Sequence, residues 1–329
     1  MANWLPKLLR GRPSAPTPTA EVGASGYGRA EATLRRLEWT VLRRLDGLLQ
    51  GQHRTLMRGH GIDLADLREY QHHDDVRHID WNLTARLDQP HVRVYTEDRE
   101  MTAWFLLDLS GSVDFGSGLQ LKTHLSRDFV AMLARMLTRQ GNRVGAMLYG
   151  SAVEAVLPPR SGRMQVLQLL HRLQHRPQVA LQEQATRLQD LLRAAAHHIS
   201  RRSSVFVVSD FISEPGWEAA LGLLARRHDV VAVRLFDPLE MELPDLGLLP
   251  MRDAETGQYL LVDTHDRKFR QRFAELASDR EQSLRLALAQ SGVDALELRT
   301  DDDLLDALVR FCQLRRQRVR TRGPQKALA

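Results

Sequence analysis

The sequence predicts a doubly wound α/β domain, a mostly parallel sheet flanked by helices. Two observations carry this. Thr102–Ser110 (TAWFLLDLS) and Ser203–Asp210 (SSVFVVSD) are near-continuous apolar runs, as expected of strands covered on both faces. Helical periodicities alternate with further short strand patterns around these runs, the order that a parallel sheet with crossover helices requires.

Residues 11–29 are rich in Pro, Gly, Ser, Thr and Ala, so 1–29 reads as a disordered leader. From Glu31, Leu34, Leu37, Val41, Leu42, Leu45, Leu48 and Leu49 recur at three and four, marking an amphipathic helix. Val92, Val94 and Thr96 alternate within His91–Glu97, a strand. These features define a small N-terminal α+β module over 30–100. The larger domain follows over 101–312. Its expected elements after the first apolar run are a helix at Leu119–Arg139 closed by Gly141, a strand at Arg143–Gly150 and an antiparallel edge at Val153–Pro159. Helices fit Gly162–Leu173 and Thr186–Ile199. After the second apolar run come a helix at Trp217–Arg227 and a strand at Asp229–Phe236. Residues 237–264 form an insertion, with two extended segments around the turn signal Glu255-Thr256-Gly257. A helix at Arg267–Ala289, a strand at Val293–Leu298 and a helix from Asp302 complete the domain, with Asp301, Asp302 and Asp303 suited to the positive end of the last helix. A basic tail occupies 313–329.

At 329 residues, 43% hydrophobic and 26% charged, the chain is long and apolar enough to bury a full core. Its one cysteine, Cys312, excludes an internal disulfide framework and a thiolate cluster from this chain alone, and fits a cytoplasmic location. The net charge of +5 comes almost wholly from Arg, since only Lys7, Lys122, Lys268 and Lys326 are lysines. Most arginines lie among carboxylates as a solvated face would have them. The tail Arg315–Arg322 (RRQRVRTR) is the one candidate for an acidic partner, and nucleic acid is not the expected ligand. No apolar run reaches the ~20 residues that cross a bilayer, and Trp4, Leu5, Leu8 and Leu9 offer at most weak contact with a membrane surface.

Ligands of an open parallel sheet meet the carboxyl ends of its strands. There the first apolar run delivers Asp108, Ser110 and Ser112, and the second delivers Asp210. A hard divalent ion, Mg2+ or Mn2+ in its place, takes oxygen ligands and keeps waters. Two hydroxyls at alternate positions of one turn would face it together, with carboxylates behind them holding its waters and one position left for an outside oxygen. The same residues also serve plain turn chemistry, Asp210 as a helix cap and Thr186 as an N-cap.

Asp108-Leu109-Ser110-Gly111-Ser112 resembles the D-x-S-x-S element of the metal-ion-dependent adhesion site of von Willebrand factor A domains. The resemblance implies Ser110, Ser112 and Thr186 as direct ligands and Asp108 and Asp210 as water-holding carboxylates. The upstream stretch narrows it: Arg68, Tyr70, Asp74, Asp75, Arg77, Ile79, Asp80, Trp81, Ala85, Arg86, Arg99 and Glu100 resemble the bacterial family called domain of unknown function 58. Leu243-Pro244-Asp245 and Glu255-Thr256-Gly257 extend the likeness to roughly 30–310. His73, Asn82 and Val113 depart from the family pattern without removing a ligand. The resemblance implies an adaptor or co-chaperone that partners a MoxR-type AAA+ ATPase and binds a partner's carboxylate through the metal, with no catalysis. The competing functions are a metal-dependent phosphoester hydrolase, which needs a general base or second metal, and nucleic-acid binding through the tail.

Three further readings complete the expectations. His72, His73, Asp74, Asp75, His78 and Asp80 match no metal geometry and read as a polar loop tied by Arg68 or Arg77, with Asp74, Asp75, Arg77 and Asp80 in an ion-pair network toward the larger domain. Trp81 is expected to be a buried anchor of the small module. Neither a G-x-S-x-G elbow nor a G-x-x-x-x-G-K phosphate loop is present, so no nucleophile or nucleotide site of those kinds is expected.

Overall fold

The computed structural model describes residues 31–32, 64–71, 76, 79–95, 101–117, 120–175, 187–252 and 259–321. The expected leader, most of the helical pattern after Glu31, the cluster His72–Asp75 with Arg77 and His78, Thr186, the Glu255–Gly257 turn and the end of the tail lie outside these residues.

Six strands form the central sheet: β3 (Thr102–Asp108), β4 (Arg143–Tyr149), β5 (Val153–Arg160), β6 (Ser204–Ser209), β7 (Asp229–Phe236) and β10 (Asp294–Arg299). Their spatial order is β10-β7-β6-β3-β4-β5. All neighbours are parallel except β5, which returns antiparallel on the outer edge of β4. Counted along the chain this is order 3-2-1-4-5-6, the doubly wound arrangement whose direction of winding reverses between β3 and β6.

Side-chain alternation divides the core in two. Ala103, Phe105 and Leu107 face one side of β3, where they pack with α2 (Lys122–Arg139), α3 (Arg163–Gln174) and α7 (Leu304–Thr321). Phe105 stacks on Phe206 and meets Phe129 edge-on. Trp104 and Leu106 face the other side, toward α4 (Leu188–His198), α5 (Trp217–Arg227) and α6 (Arg267–Gln290). Covering both faces is what demands the continuous apolar runs of β3 and β6.

Helix α2 starts three residues later than its periodicity indicates. Leu121 is extended and the Lys122 N–H donates to Phe115 O at 2.8 Å, so the loop closes on itself before the helix begins. Within 237–264, β8 (Leu248–Arg252) and β9 (Tyr259–Asp263) pair antiparallel. Met251 and Val262 bury against Phe115, Leu243 and Phe273 in a third small core.

In the N-terminal module β1 (Leu64–Glu69) pairs antiparallel with β2 (His91–Tyr95), and α1 (Trp81–Leu87) lies between them in sequence. Trp81 is no buried anchor: it is 69% exposed. Asp80 accepts Leu83 N–H at the helix start and its own N–H donates to His91 O. The helix thereby turns Leu83 and Thr84 toward β2, Thr84 Oγ1 accepting His91 N–H, and its first side chain outward.

The basic tail also differs from its expected form. Helix α7 continues to Thr321, and Arg315 is buried with its guanidinium 2.5 Å from Asp229 and 2.8 Å from Asp294. That cation ties α7 to the amino ends of β7 and β10 and is not offered to a partner. At the start of α7, Asp303 accepts the Leu305 and Asp306 N–H groups as a cap, while Asp301 pairs with Arg299.

Candidate metal centre at the carboxyl ends of β3 and β6

Parallel pairing of β3 with β6 sets Asp108 and Asp210 at the same end of the sheet, at the point where the winding reverses. Both side chains are buried. Asp108 Oδ1 accepts the Ser110 N–H at 3.0 Å, folding the chain back on itself, and Asp108 Oδ2 accepts the Ser209 hydroxyl at 2.6 Å. A short 3-10 turn over Gly111–Val113 then points Ser110 and Ser112 the same way, their hydroxyls hydrogen-bonded to each other at 3.0 Å. Adjacent ligands of an octahedral Mg2+ with ~2.1 Å bonds are about 3.0 Å apart. The two hydroxyls therefore stand at ligand spacing.

Asp210 does not cap α5. Its Oδ1 accepts Ile212 N–H at 3.0 Å, whereas the start of α5 is closed by Glu218 accepting the Gly216 N–H. Phe211 between them has φ 56°, a left-handed backbone that a non-glycine residue adopts only under constraint. Its N–H on Ser209 Oγ and its ring against Trp217 supply that constraint. Asp210 also borders a small cleft whose walls include Phe211, Arg280 and Leu284.

The electrostatics of the cluster are unusual. Burial, then the neighbouring Asp210 charge, pushes the Asp108 carboxyl up to about 6, against the hydrogen bonds from Ser209 and Ser110 that lower it. Opposite Asp210 lies Lys122, whose Nζ is 2.9 Å from Asp210 Oδ2 and 2.7 Å from Glu240 Oε1. Burial works to lower the Lys122 pKa, but the charges of Asp210 and Glu240 overcome it and hold the ammonium above its ordinary value. Glu240 Oε2 accepts the Asp237 N–H, and Asp237 in turn accepts Ser117 N–H, Ser117 Oγ–H, Leu239 N–H and Thr300 Oγ–H. The serine loop is thus tied to the ends of β7 and β10. Gly116 makes that closure possible: a Cβ there would stand 2.5 Å from Gln120 O.

Four of the five residues expected at the site, Asp108, Ser110, Ser112 and Asp210, lie together at this end of the sheet. Thr186 is outside the described residues. Its neighbour Arg187 has its carbonyl bound by Tyr149 Oη–H at 3.0 Å, at the carboxyl end of β4 beside β3. Sequence reasoning missed Ser209, Lys122 and Glu240. Lys122 is one of four lysines in the chain, but nothing beside it in the sequence marks it as paired. Among the described residues no group of three or more His, Cys, Asp or Glu side chains is placed to hold a metal, so a metal here would depend on the serine hydroxyls. The donor set fits a hard cation: paired hydroxyls, flanking carboxylates and excess buried negative charge.

A 3-2-1-4-5-6 sheet with an Asp-x-Ser-x-Ser turn at its reversal point defines a von Willebrand A-like α/β domain. The chain belongs to the family described as protein of unknown function DUF58, whose model matches residues 66–283. It is 35% identical over 286 residues to an uncharacterized protein of Mycobacterium tuberculosis, covering 87% of this chain and 90% of that one. It is 36% identical over 105 residues to an uncharacterized protein encoded in the moxR 3' region of Paracoccus denitrificans, covering 31% of this chain and 99% of the relative. Among solved structures it is similar to the hypothetical protein BatB of Bacteroides thetaiotaomicron, with TM-score 0.43 and 13% identity over 66% of this chain and 99% of that one. It is also similar to the VWA domain of SpRpn10, with TM-score 0.35 and 12% identity over 64% of this chain and 94% of that one. No helix among the described residues is long and apolar enough to cross a membrane.

Proposed function

We propose that this protein is a metal-dependent protein-interaction module. Ser110 and Ser112 would hold a divalent cation, Mg2+ or Mn2+, through their hydroxyls, and Asp108 and Asp210 would hold its waters. The bound ion supplies a Lewis-acidic position for an oxygen from outside, and a carboxylate of a partner protein is the ligand that a hard cation favours. The observation that carries this reading is the hydroxyl pair at 3.0 Å beside a buried aspartate pair. The chain's own part is to pre-set that pair. The Asp108–Ser110 and Asp108–Ser209 hydrogen bonds fix the turn, and Asp237 anchors the loop beyond it.

A MoxR-type AAA+ ATPase is the proposed partner, with this chain as its adaptor. The support is the relative encoded in the moxR 3' region. The test is capture of the candidate ATPase by the full chain in excess Mg2+ against chelator. Binding lost in chelator and in Ser110→Ala/Ser112→Ala supports the reading. Equal binding in chelator and Mg2+ refutes it.

A further inference from the structure

We infer that Lys122 is the charge-setting residue of this site, a built-in counter-cation that limits the cluster to the charge of one divalent ion and positions Asp210 and Glu240. The inference rests on the reading of the cluster as a metal site and says what regulates it.

Lys122 is 0% exposed. A lone buried ammonium is strongly unfavourable, and one is retained only where carboxylates pair with it. Its backbone N–H is held by Phe115 O, so the serine loop directs the side chain inward, where Nζ bridges Asp210 and Glu240. Asp108, Asp210 and Glu240 contribute three negative charges and Lys122 one positive charge. The balance of two negative charges matches a divalent ion. The next charges outward balance: Arg234 pairs with Glu281, and Asp237, which keeps its charge among four neutral donors, is offset by Arg280 on the cleft that Asp210 and Glu240 line.

An ammonium beside a cation site opposes the cation. Its presence therefore needs a compensating gain, which is an empty site that stays folded and a bound ion that can leave. Without Lys122 the buried Asp210 and the half-buried Glu240 would lose the cation that joins them, beside the buried Asp108. With it, Asp210 and Glu240 keep one arrangement whether or not an ion is bound, and the turn that opens the insertion stays joined to the loop after β6. Lys122 touches no ligand of the ion's open position and so is a positioning residue.

The test is titration of the full chain with Mn2+ at pH 8 by calorimetry, in wild type, Lys122→Gln, Glu240→Gln and the double variant. Lys122→Gln is expected to tighten Mn2+ binding about tenfold, the scale of removing one like charge near a divalent ion even at the screening of water. Glu240→Gln is expected to weaken it by about the same factor, and the double variant to return within about threefold of wild type, because the balance is restored. Trivalent Tb3+ should gain more than Mn2+ in Lys122→Gln. A merely structural lysine would give weaker binding in every variant. Unchanged or weaker binding by folded Lys122→Gln overturns the inference and leaves the proposed function standing. Should Lys122→Gln not fold, unchanged affinity in Glu240→Gln overturns it instead. Binding by Lys122→Gln alone, with none by wild type, supports the inference and contradicts the proposed function; no binding by any form overturns both.

Discussion

Replacing Asp237 with Asn should unfasten the serine loop from the ends of β7 and β10. Asp237 Oδ1 accepts Ser117 Oγ–H and Leu239 N–H, and Oδ2 accepts Ser117 N–H and Thr300 Oγ–H. Whichever oxygen becomes the amide nitrogen, a backbone N–H is left facing a donor, whereas the hydroxyl beside it can rotate to accept. One charge-assisted bond is lost outright and the others weaken to neutral ones, which sums to about 2–4 kcal/mol. Urea unfolding followed by circular dichroism from pH 8 to pH 3 measures it. Burial alone would raise the Asp237 pKa, but the hydrogen bonds from Ser117, Thr300 and Leu239 overcome it and depress it below the ordinary value. A depressed folded pKa contributes stability that is full above the unfolded value of about 3.9 and is lost as pH falls through the folded one. The gap between wild type and variant should stay level from pH 8 to pH 5 and narrow only in stronger acid. A gap under about 0.5 kcal/mol at pH 7, the range of an ordinary surface change, or one that widens on acidification would refute the reasoning.

Arg315→Met leaves Asp229 and Asp294 without their buried cation and should cost about 3–5 kcal/mol. Arg299→Ala, which breaks an exposed pair with Asp301, should cost under about 1 kcal/mol in the same chemical denaturation. Gly116→Ala forces a methyl against Gln120 O and Leu121 Cα and should lower stability by about 1–3 kcal/mol, read as a drop in Tm. Trp81→Ser removes a side chain that contributes little burial and should change stability by about 0.5 kcal/mol or less; a larger loss by denaturant titration would restore its role as an anchor.

The sheet was legible because its two central strands must be apolar on both faces. β3 and β6 announce themselves in composition, and the Asp that ends each run marks the carboxyl edge. The antiparallel edge β5 was also legible, and its burial, closed at Leu157 and open at its neighbours, is that of an edge strand. Residues that act through distant partners were not legible. Lys122 looks like any lysine at a helix start until β6 and the turn after β7 bring Asp210 and Glu240 to it, 88 and 118 residues away. Arg315 sits in a run that reads as a charged tail, and only the amino ends of β7 and β10 convert it into a buried tie. Trp81 misled because a large aromatic is usually buried, whereas its place in the first turn of α1 directs it outward. The family resemblance carried the partner and the ligand roles, which no periodicity contains.

The central claim is that the Ser110–Ser112 turn is a cation site, and calorimetric titration of the full chain with Mn2+, in wild type and Ser110→Ala/Ser112→Ala, tests it most directly. The account predicts one saturable site in wild type, displaced by Mg2+, and its loss in the double variant with the circular dichroism spectrum unchanged. Saturable binding of equal affinity in both proteins, or none in wild type, would contradict it.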